Sequence, residues 1–221
     1  MDQKNAHSVT GSSPFLQKHS PLIRIWHWLT FIFIASLMIT VLIASTALHP
    51  RDNIKMVQER LAKKGVTITD EQAFSVAHSF DDKMWDIHKL LGFGLAFLLI
   101  SRIVIEMVQP GEEKVNIRIK NILMLKTTTP EEQKLKKHYL IVKRGYFVFY
   151  ALLLVVVLTG LGLAFDHDLA FLDHYHRLIK TIHGFCQYLM YGFVALHLAG
   201  VIVADITHSR GVVSGMINGG R

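Results

Sequence analysis

The chain has 221 residues, of which 51% are hydrophobic, carries a formal net charge of +7 and contains one cysteine. The single Cys186 excludes a disulfide within the chain, an iron–sulfur cluster held by its own thiolates and a CxxCH haem attachment site, and is interpreted as a small packing residue. The sequence shows no catalytic dyad, phosphate-binding loop or nucleotide fingerprint, so no catalytic residue is predicted.

Four apolar runs follow a polar N-terminal segment, residues 1–20, which is predicted to be flexible. Each run has about 20 residues or more, enough to cross a hydrocarbon core of about 30 Å as a helix. Lipid tolerates only helices and closed barrels, so the runs predict an all-α integral membrane protein, an antiparallel bundle of four transmembrane helices within residues 21–206. The spans are placed at 25–48, 87–108, 146–165 and 182–206.

The charges of the loops predict how the spans are oriented. The 109–145 loop holds nine Lys and Arg residues against four acidic residues, whereas acidic residues balance the basic ones of the 49–86 loop. Basic loops stay in the cytoplasm. This predicts a multi-pass inner-membrane protein with cytoplasmic termini, an outer 49–86 loop, a cytoplasmic 109–145 loop and a cytoplasmic 207–221 tail. The charge of +7 is then explained by the membrane flanks and not by nucleic-acid binding.

Two short surface helices are predicted in the outer loop. Asn53 is the expected N-cap of the first helix and Gly65 its end, and Thr69 with Gln72 has the spacing of a capping box for the second.

Four of the thirteen histidines, His27, His88, His183 and His197, lie in or at the edges of the apolar spans. An ionisable side chain there is costly, so a functional role is the default hypothesis, although one such ring can simply bond to a neighbouring helix. His183 and His197 share a helix face, about 21 Å apart along the axis. The predicted helix directions place His88 level with His183 on the outer side, and His27 level with His197 on the inner side.

Two facing imidazoles can bind a haem iron from both sides, and filled axial positions favour electron transfer over oxygen binding. The two pairs therefore predict a bundle that encloses two haems b, stacked across the bilayer, with all four histidines as axial ligands. Zinc or copper is the rival hypothesis, but no cysteine or carboxylate lies at those depths to complete such a site.

Basic and small residues agree with this hypothesis. Arg102 lies fourteen residues after His88, on the same face, and is expected to bind a haem propionate, with Glu106 as the competing partner. Arg24 is a weaker propionate candidate. Five glycines would let a flat macrocycle, or simply a neighbouring helix, approach the backbone closely. They are Gly92, Gly94, Gly184, Gly192 and Gly200.

Several motifs resemble one family of membrane proteins. The stretches PLIRIWHWLTF, WDIHKLLG and DITHSRGVVSGMING, with the H-x13-H of the fourth span, are similar to the di-haem cytochrome b subunits of membrane-bound nickel–iron hydrogenases. These belong to a bacterial cytochrome b561 superfamily that also includes formate dehydrogenase membrane subunits. The resemblance covers nearly all of the chain beyond residue 20 and gives the axial-ligand roles to the same four histidines.

The resemblance implies a non-catalytic electron-transfer subunit of an oxidoreductase complex. The iron–sulfur small subunit of a hydrogenase or dehydrogenase would dock on the outer face and pass electrons, through two haems b, to a quinone near the cytoplasmic side. His138 or Tyr146 is a candidate hydrogen-bond donor to the quinone. Two alternatives stay open: a stand-alone superoxide:quinone oxidoreductase, and a haem-free membrane scaffold or transporter.

Overall fold

The structure is a computed structural model that describes residues 20–109, 114–127, 129–165, 170–207 and 212–219. Within these residues the chain forms helices and no strand. The helices are α1 (Pro21–Ser45), α2 (Pro50–Ala62), α3 (Asp70–Val108), α4 (Val115–Met124), α5 (Pro130–Ala164), α6 (Ala170–Thr207) and α7 (Val212–Asn218). Nearly all of the segment predicted to be flexible, 1–20, lies outside the described residues.

Four of the helices, α1, α3, α5 and α6, are long and apolar enough to cross a membrane. Only 6–22% of the residues in their most apolar windows are buried within the protein. Most of their apolar surface therefore faces outward, where lipid can solvate it. The prediction of an all-α membrane protein with a bundle of four spans is confirmed.

Three of these helices begin well before the predicted spans, since α3, α5 and α6 start at Asp70, Pro130 and Ala170. Hydropathy marks the part of a helix that lies in lipid, whereas the start of a helix depends on its capping residues. Thr69 and Gln72 do form the predicted capping box. The helix that they start contains no Pro, and no Gly before the membrane span, so the second surface helix is the first part of α3 and not a separate element.

The first surface helix is α2, and its N-cap differs from the prediction. His49 is the N-cap and Pro50 occupies the first turn, while the Asn53 amide donates hydrogen bonds to the carbonyls of Ala47 and His49 at 2.9 and 3.0 Å. Proline is preorganised for the first helical position, so the helix begins before Asn53. Gly65 lies in the turn after α2 with a φ of 77°, a left-handed conformation that favours glycine.

Helix α3 is the centre of the bundle, because it packs against α1, α2 and α5, whereas α6 packs mainly against α5. The indole nitrogen of Trp26 donates a hydrogen bond to the Leu98 carbonyl at 2.8 Å, and Thr40 contacts His88. Later residues of α1 thus meet earlier residues of α3, so the two helices are antiparallel.

The core contains side chains from all four membrane helices, including Ile34, Leu95, Leu153 and Met190. Leu153 has no exposed surface. We call the end of the bundle near α2 the α2 end, and the end where α1 begins and α4 and α7 lie the α4 end. His88 and His183 lie towards the α2 end, and His27 and His197 lie towards the α4 end.

Helices α1 and α3 approach each other especially closely at Gly94, where a Cβ atom would overlap the Phe33 ring. Gly94→Ala should therefore destabilise the protein by about 1–3 kcal/mol through overpacking, although alanine ordinarily favours a helix over glycine. In a Phe33→Ala background the same substitution should stabilise the protein. Thermal unfolding of the four proteins of this cycle in detergent measures both effects. An equal effect of Gly94→Ala in the two backgrounds would contradict the contact.

Candidate functional site: two facing histidine pairs

The four membrane histidines lie in two facing pairs, one towards each end of the bundle. The ring centroids of His88 and His183 are 6.4 Å apart with their planes at 85°, and those of His27 and His197 are 6.3 Å apart with their planes at 57°. These are the pairs that the predicted depths indicate. Helix α6 contributes one ring to each pair, and α3 and α1 contribute the partners.

The spacing within each pair suits a metal ion between the two rings. Metal–imidazole bonds of about 2.0–2.1 Å would place the centroids of two opposed rings about 6.2–6.4 Å apart, because a ring nitrogen lies about 1.1 Å from the ring centre. A direct hydrogen bond between the rings, about 2.9 Å long, would bring the centroids to about 5 Å. The observed 6.3 and 6.4 Å are longer than a ring-to-ring hydrogen bond requires and leave room for a metal ion between the rings.

Each pair spans a gap between α6 and another helix, which is α3 for His88 and His183 and α1 for His27 and His197. In the part of the chain that the structure describes, α6 packs mainly against α5, with a smaller contact to α7, and forms no extensive interface with α1 or α3. Only 6% of its most apolar window is buried, and His197 is exposed. A flat macrocycle held between the paired rings would lie on this loosely packed side of α6.

The glycines near the pairs differ in what surrounds them. A Cβ at Gly160 would lie 3.2 Å from Cε1 of His183, so this glycine lets the ring approach α5. Gly94 packs against Phe33 and therefore serves contact between helices, the alternative considered for it. Around the other predicted glycines, no atom of the described residues lies within 4 Å of an added Cβ, so no neighbouring helix packs against them there. They are Gly92, Gly184, Gly192 and Gly200.

Each ring of the α2-end pair is also bound by a threonine of a neighbouring helix. Nδ1 of His88 lies 2.8 Å from Oγ1 of Thr40 in α1, and Nδ1 of His183 lies 2.9 Å from Oγ1 of Thr159 in α5. Nδ1 is therefore occupied in both rings, which leaves Nε2 for a metal. Neither threonine could be identified from the sequence, because an isolated hydroxyl in an apolar span is a weak signal.

The α4-end pair is surrounded by aromatic side chains. The His27 ring meets Trp28 edge-on, with centroids 5.5 Å apart, and the His197 ring lies parallel to Phe193 at 6.3 Å. Such flat apolar walls suit a macrocycle with a large aromatic surface.

Arg24 and Trp28 join the start of α1 to α7. Nη1 of Arg24 donates a hydrogen bond to the Ile217 carbonyl at 3.2 Å, and Nε1 of Trp28 donates one to the Met216 carbonyl at 3.1 Å. A cation beside the last carbonyls of a helix complements its dipole. Nε of Arg24 is buried and has no hydrogen-bond partner among the described residues, and the contact of Arg24 with a propionate stays a prediction.

Arg102 is held by Glu106, the competing partner considered for it. Nη2 of Arg102 lies 3.0 Å from Oε2 of Glu106, and Nε donates a hydrogen bond to the Tyr150 hydroxyl at 3.1 Å. Glu106 also accepts a hydrogen bond from the backbone N–H of Val115, where α4 begins, at 2.8 Å. Nη1 of Arg102 is buried and has no hydrogen-bond partner within the described part of the chain. One donor is thus available to a propionate, whose binding by Arg102 stays a prediction.

The two candidate quinone contacts, His138 and Tyr146, are exposed residues of α5 towards the α4 end. The predicted 109–145 loop includes Lys143, but this lysine is a buried residue of α5. Its Nζ lies 4.8 Å from the ring centroid of Tyr146 and 5.2 Å from that of Tyr139. Two aromatic faces thus stabilise a cation inside the bundle, next to one of the candidate contacts.

The number of protein ligands favours haem over zinc. Among the described residues, no three His, Cys, Asp or Glu side chains come together as a possible metal site. A structural zinc ion takes four protein ligands and a catalytic one takes three, whereas a haem iron needs only the two axial ligands from the protein. Each histidine pair supplies two.

A family model described as prokaryotic cytochrome b561 matches residues 18–219. The match includes all seven helices and both histidine pairs. No curated protein and no solved structure matches the chain significantly. The match supports the broader part of the resemblance seen in the sequence and does not single out the hydrogenase subunits.

Replacement of one histidine should remove one haem and leave the other. A pyridine haemochrome assay should find about two haems per chain in the wild type and about one in His183→Ala or His197→Ala, because about 21 Å of α6 separates these rings. In a potentiometric titration, His88→Ala should lose the same transition as His183→Ala, and His27→Ala the same one as His197→Ala. Loss of one common transition in all four variants would contradict the pairing.

Proposed function

The chain belongs to the prokaryotic cytochrome b561 family, and on that premise we propose that it carries electrons from an iron–sulfur partner on the outer face of the membrane to a quinone near the cytoplasmic face. The family binds haem b and transfers electrons across bacterial membranes. The observation that carries the proposal is the presence of two facing histidine pairs at two depths of one bundle.

The four histidines would supply the axial ligands of two haems b. His88 and His183 would hold one at the α2 end, and His27 and His197 the other at the α4 end. Haem b supplies a one-electron redox centre when it is bound. A haem held by two histidines would favour electron transfer over oxygen binding. Because α6 carries a ligand of each pair, this single helix sets the distance between the two sites.

The charge distribution supports a cytoplasmic α4 end. The segment 109–145 carries nine basic and four acidic residues, so the excess is large even without the buried Lys143. Loops rich in Lys and Arg remain on the cytoplasmic side. We therefore place the α2 end on the outer side of the inner membrane and both chain termini in the cytoplasm.

The extension at the α2 end supports a docked partner. Helix α2 packs against α3, and the first part of α3 precedes His88 by more than four helical turns. Phe80 and Trp85 are 59% and 39% exposed there, and Trp85 meets the His88 ring edge-on at 5.5 Å. An iron–sulfur protein seated on this surface would lie next to the α2-end pair. A stand-alone superoxide:quinone oxidoreductase has no need of such an extension.

The α4 end supports the quinone site. Tyr146 places its ring beside the buried amine of Lys143, on the side of the bundle that holds His27 and His197. Reduction of a quinone consumes protons, which this end would draw from the cytoplasm while electrons arrive from outside. Such a separation of charge stores about 2.3 kcal/mol per elementary charge for each 100 mV of membrane potential.

A quinone-analogue inhibitor should act on one histidine pair only. Added during a potentiometric titration, it should shift the transition that is lost in His197→Ala and leave the transition that is lost in His183→Ala unchanged. Tyr146→Phe should weaken this shift, because it removes the hydroxyl and keeps the ring next to Lys143. Tyr188→Phe, at an exposed position of α6, is the matched control.

An inhibitor shift confined to the transition of the α2-end pair would place the quinone at the opposite end of the bundle and overturn this part of the proposal. An equal loss of the shift in Tyr146→Phe and Tyr188→Phe would exclude a specific role for the Tyr146 hydroxyl.

A further inference from the structure

Each threonine that contacts the α2-end pair lies within hydrogen-bond distance of both a ring nitrogen and a backbone carbonyl. Oγ1 of Thr40 lies 2.7 Å from the Leu37 carbonyl and 2.8 Å from Nδ1 of His88. Oγ1 of Thr159 lies 2.7 and 3.1 Å from the carbonyls of Val155 and Val156, and 2.9 Å from Nδ1 of His183. A carbonyl can only accept, so the arrangement in which each hydroxyl donates to a carbonyl and accepts from Nδ1–H satisfies every group. It puts the hydrogen of both rings on Nδ1 and a lone pair on Nε2.

We infer that Thr40 and Thr159 are positioning residues that hold His88 and His183 in the metal-binding tautomer and lower the midpoint potential of the haem between them. The inference rests on the proposed haem ligation by these histidines. A hydroxyl that accepts a hydrogen bond from Nδ1–H increases the electron density at Nε2. A stronger axial donor stabilises ferric over ferrous iron, and this lowers the potential.

The same hydrogen bonds define the rotation of each ring. Thr40 and Thr159 belong to different helices, α1 and α5, and the two ring planes that they hold lie at 85° to each other. In a low-spin ferric haem, the g-values in electron paramagnetic resonance depend on the angle between the axial imidazole planes. Loss of one threonine contact frees one ring to rotate, so the signal of this haem reports the contact directly.

The test compares substitutions that remove or keep the hydroxyl. Thr40→Val and Thr159→Val keep the shape of the side chain and remove the acceptor, whereas Thr40→Ser and Thr159→Ser keep it. Thr181→Val is the matched control, because Thr181 lies two residues before His183 and its hydroxyl bonds only the Arg177 carbonyl among the contacts of the described residues. Potentiometric titration and the ferric resonance spectrum are measured for each purified, haem-loaded protein.

Each valine variant should raise the midpoint potential of the transition that is lost in His183→Ala, and should change the g-values of that haem. A tenfold change in the ferric–ferrous equilibrium corresponds to about 59 mV for a one-electron couple. The serine variants and Thr181→Val should have the potentials and g-values of the wild type. In every variant, the transition of the α4-end pair should keep its wild-type potential. The inference would also be supported if a valine variant lost only the α2-end haem while the corresponding serine variant kept it.

Unchanged potentials and g-values in both valine variants would overturn the inference and leave the proposed function intact. Serine variants that behave like the valine variants would overturn it as well, since they would show that packing and not the hydroxyl matters. Absence of haem from the folded wild-type protein would overturn the proposed function together with the inference.

Discussion

An imidazole ring inside a bilayer needs a partner for each of its nitrogens, because an unsatisfied polar atom in hydrocarbon is costly. At the depth of His88 and His183, this requirement is met by contacts that connect all four membrane helices. Nδ1 of His88 in α3 meets Thr40 of α1, and Nδ1 of His183 in α6 meets Thr159 of α5. We propose that the two Nε2 atoms bind one shared metal, for which the centroid separation of 6.4 Å leaves room. The α2-end pair thus sets the relative depth of all four helices.

The two ends of the bundle satisfy their polar groups differently. At the α2 end, neutral hydroxyls of packed helices bind the rings. At the α4 end, charged and aromatic side chains predominate: Glu106 joins Arg102 to the start of α4, and Arg24 joins α1 to α7. These differences fit the direction of electron flow that we propose. The α2-end pair, held by hydroxyls of packed helices, would lie near the docked protein donor. The α4 end, built from side chains around short helices, would lie near the exchangeable quinone.

The histidine pairs could be predicted from the sequence, because helical spacing within α6 and the alternating direction of the spans determine the depth of each ring. Thr40 and Thr159 could not, since a hydroxyl in an apolar helix ordinarily bonds a carbonyl of its own helix. Both threonines do this, and only the packing of the helices shows that the same oxygens also meet a histidine. Helices α3 and α5 begin before the predicted spans, because hydropathy reports immersion in lipid, whereas Thr69 and Thr129 cap helices that begin outside it.

We propose that one chain holds two metal centres at two depths of one bundle. Pulsed dipolar electron paramagnetic resonance on the fully oxidised protein measures the distance between two low-spin ferric centres directly. Because His183 and His197 are fourteen residues apart on α6, the expected distance is about 21 Å. A dipolar signal at this distance, lost on replacement of either histidine, would agree with two separate pairs. A single centre without dipolar coupling, or two centres within about 10 Å, less than half the helical separation, would contradict the arrangement.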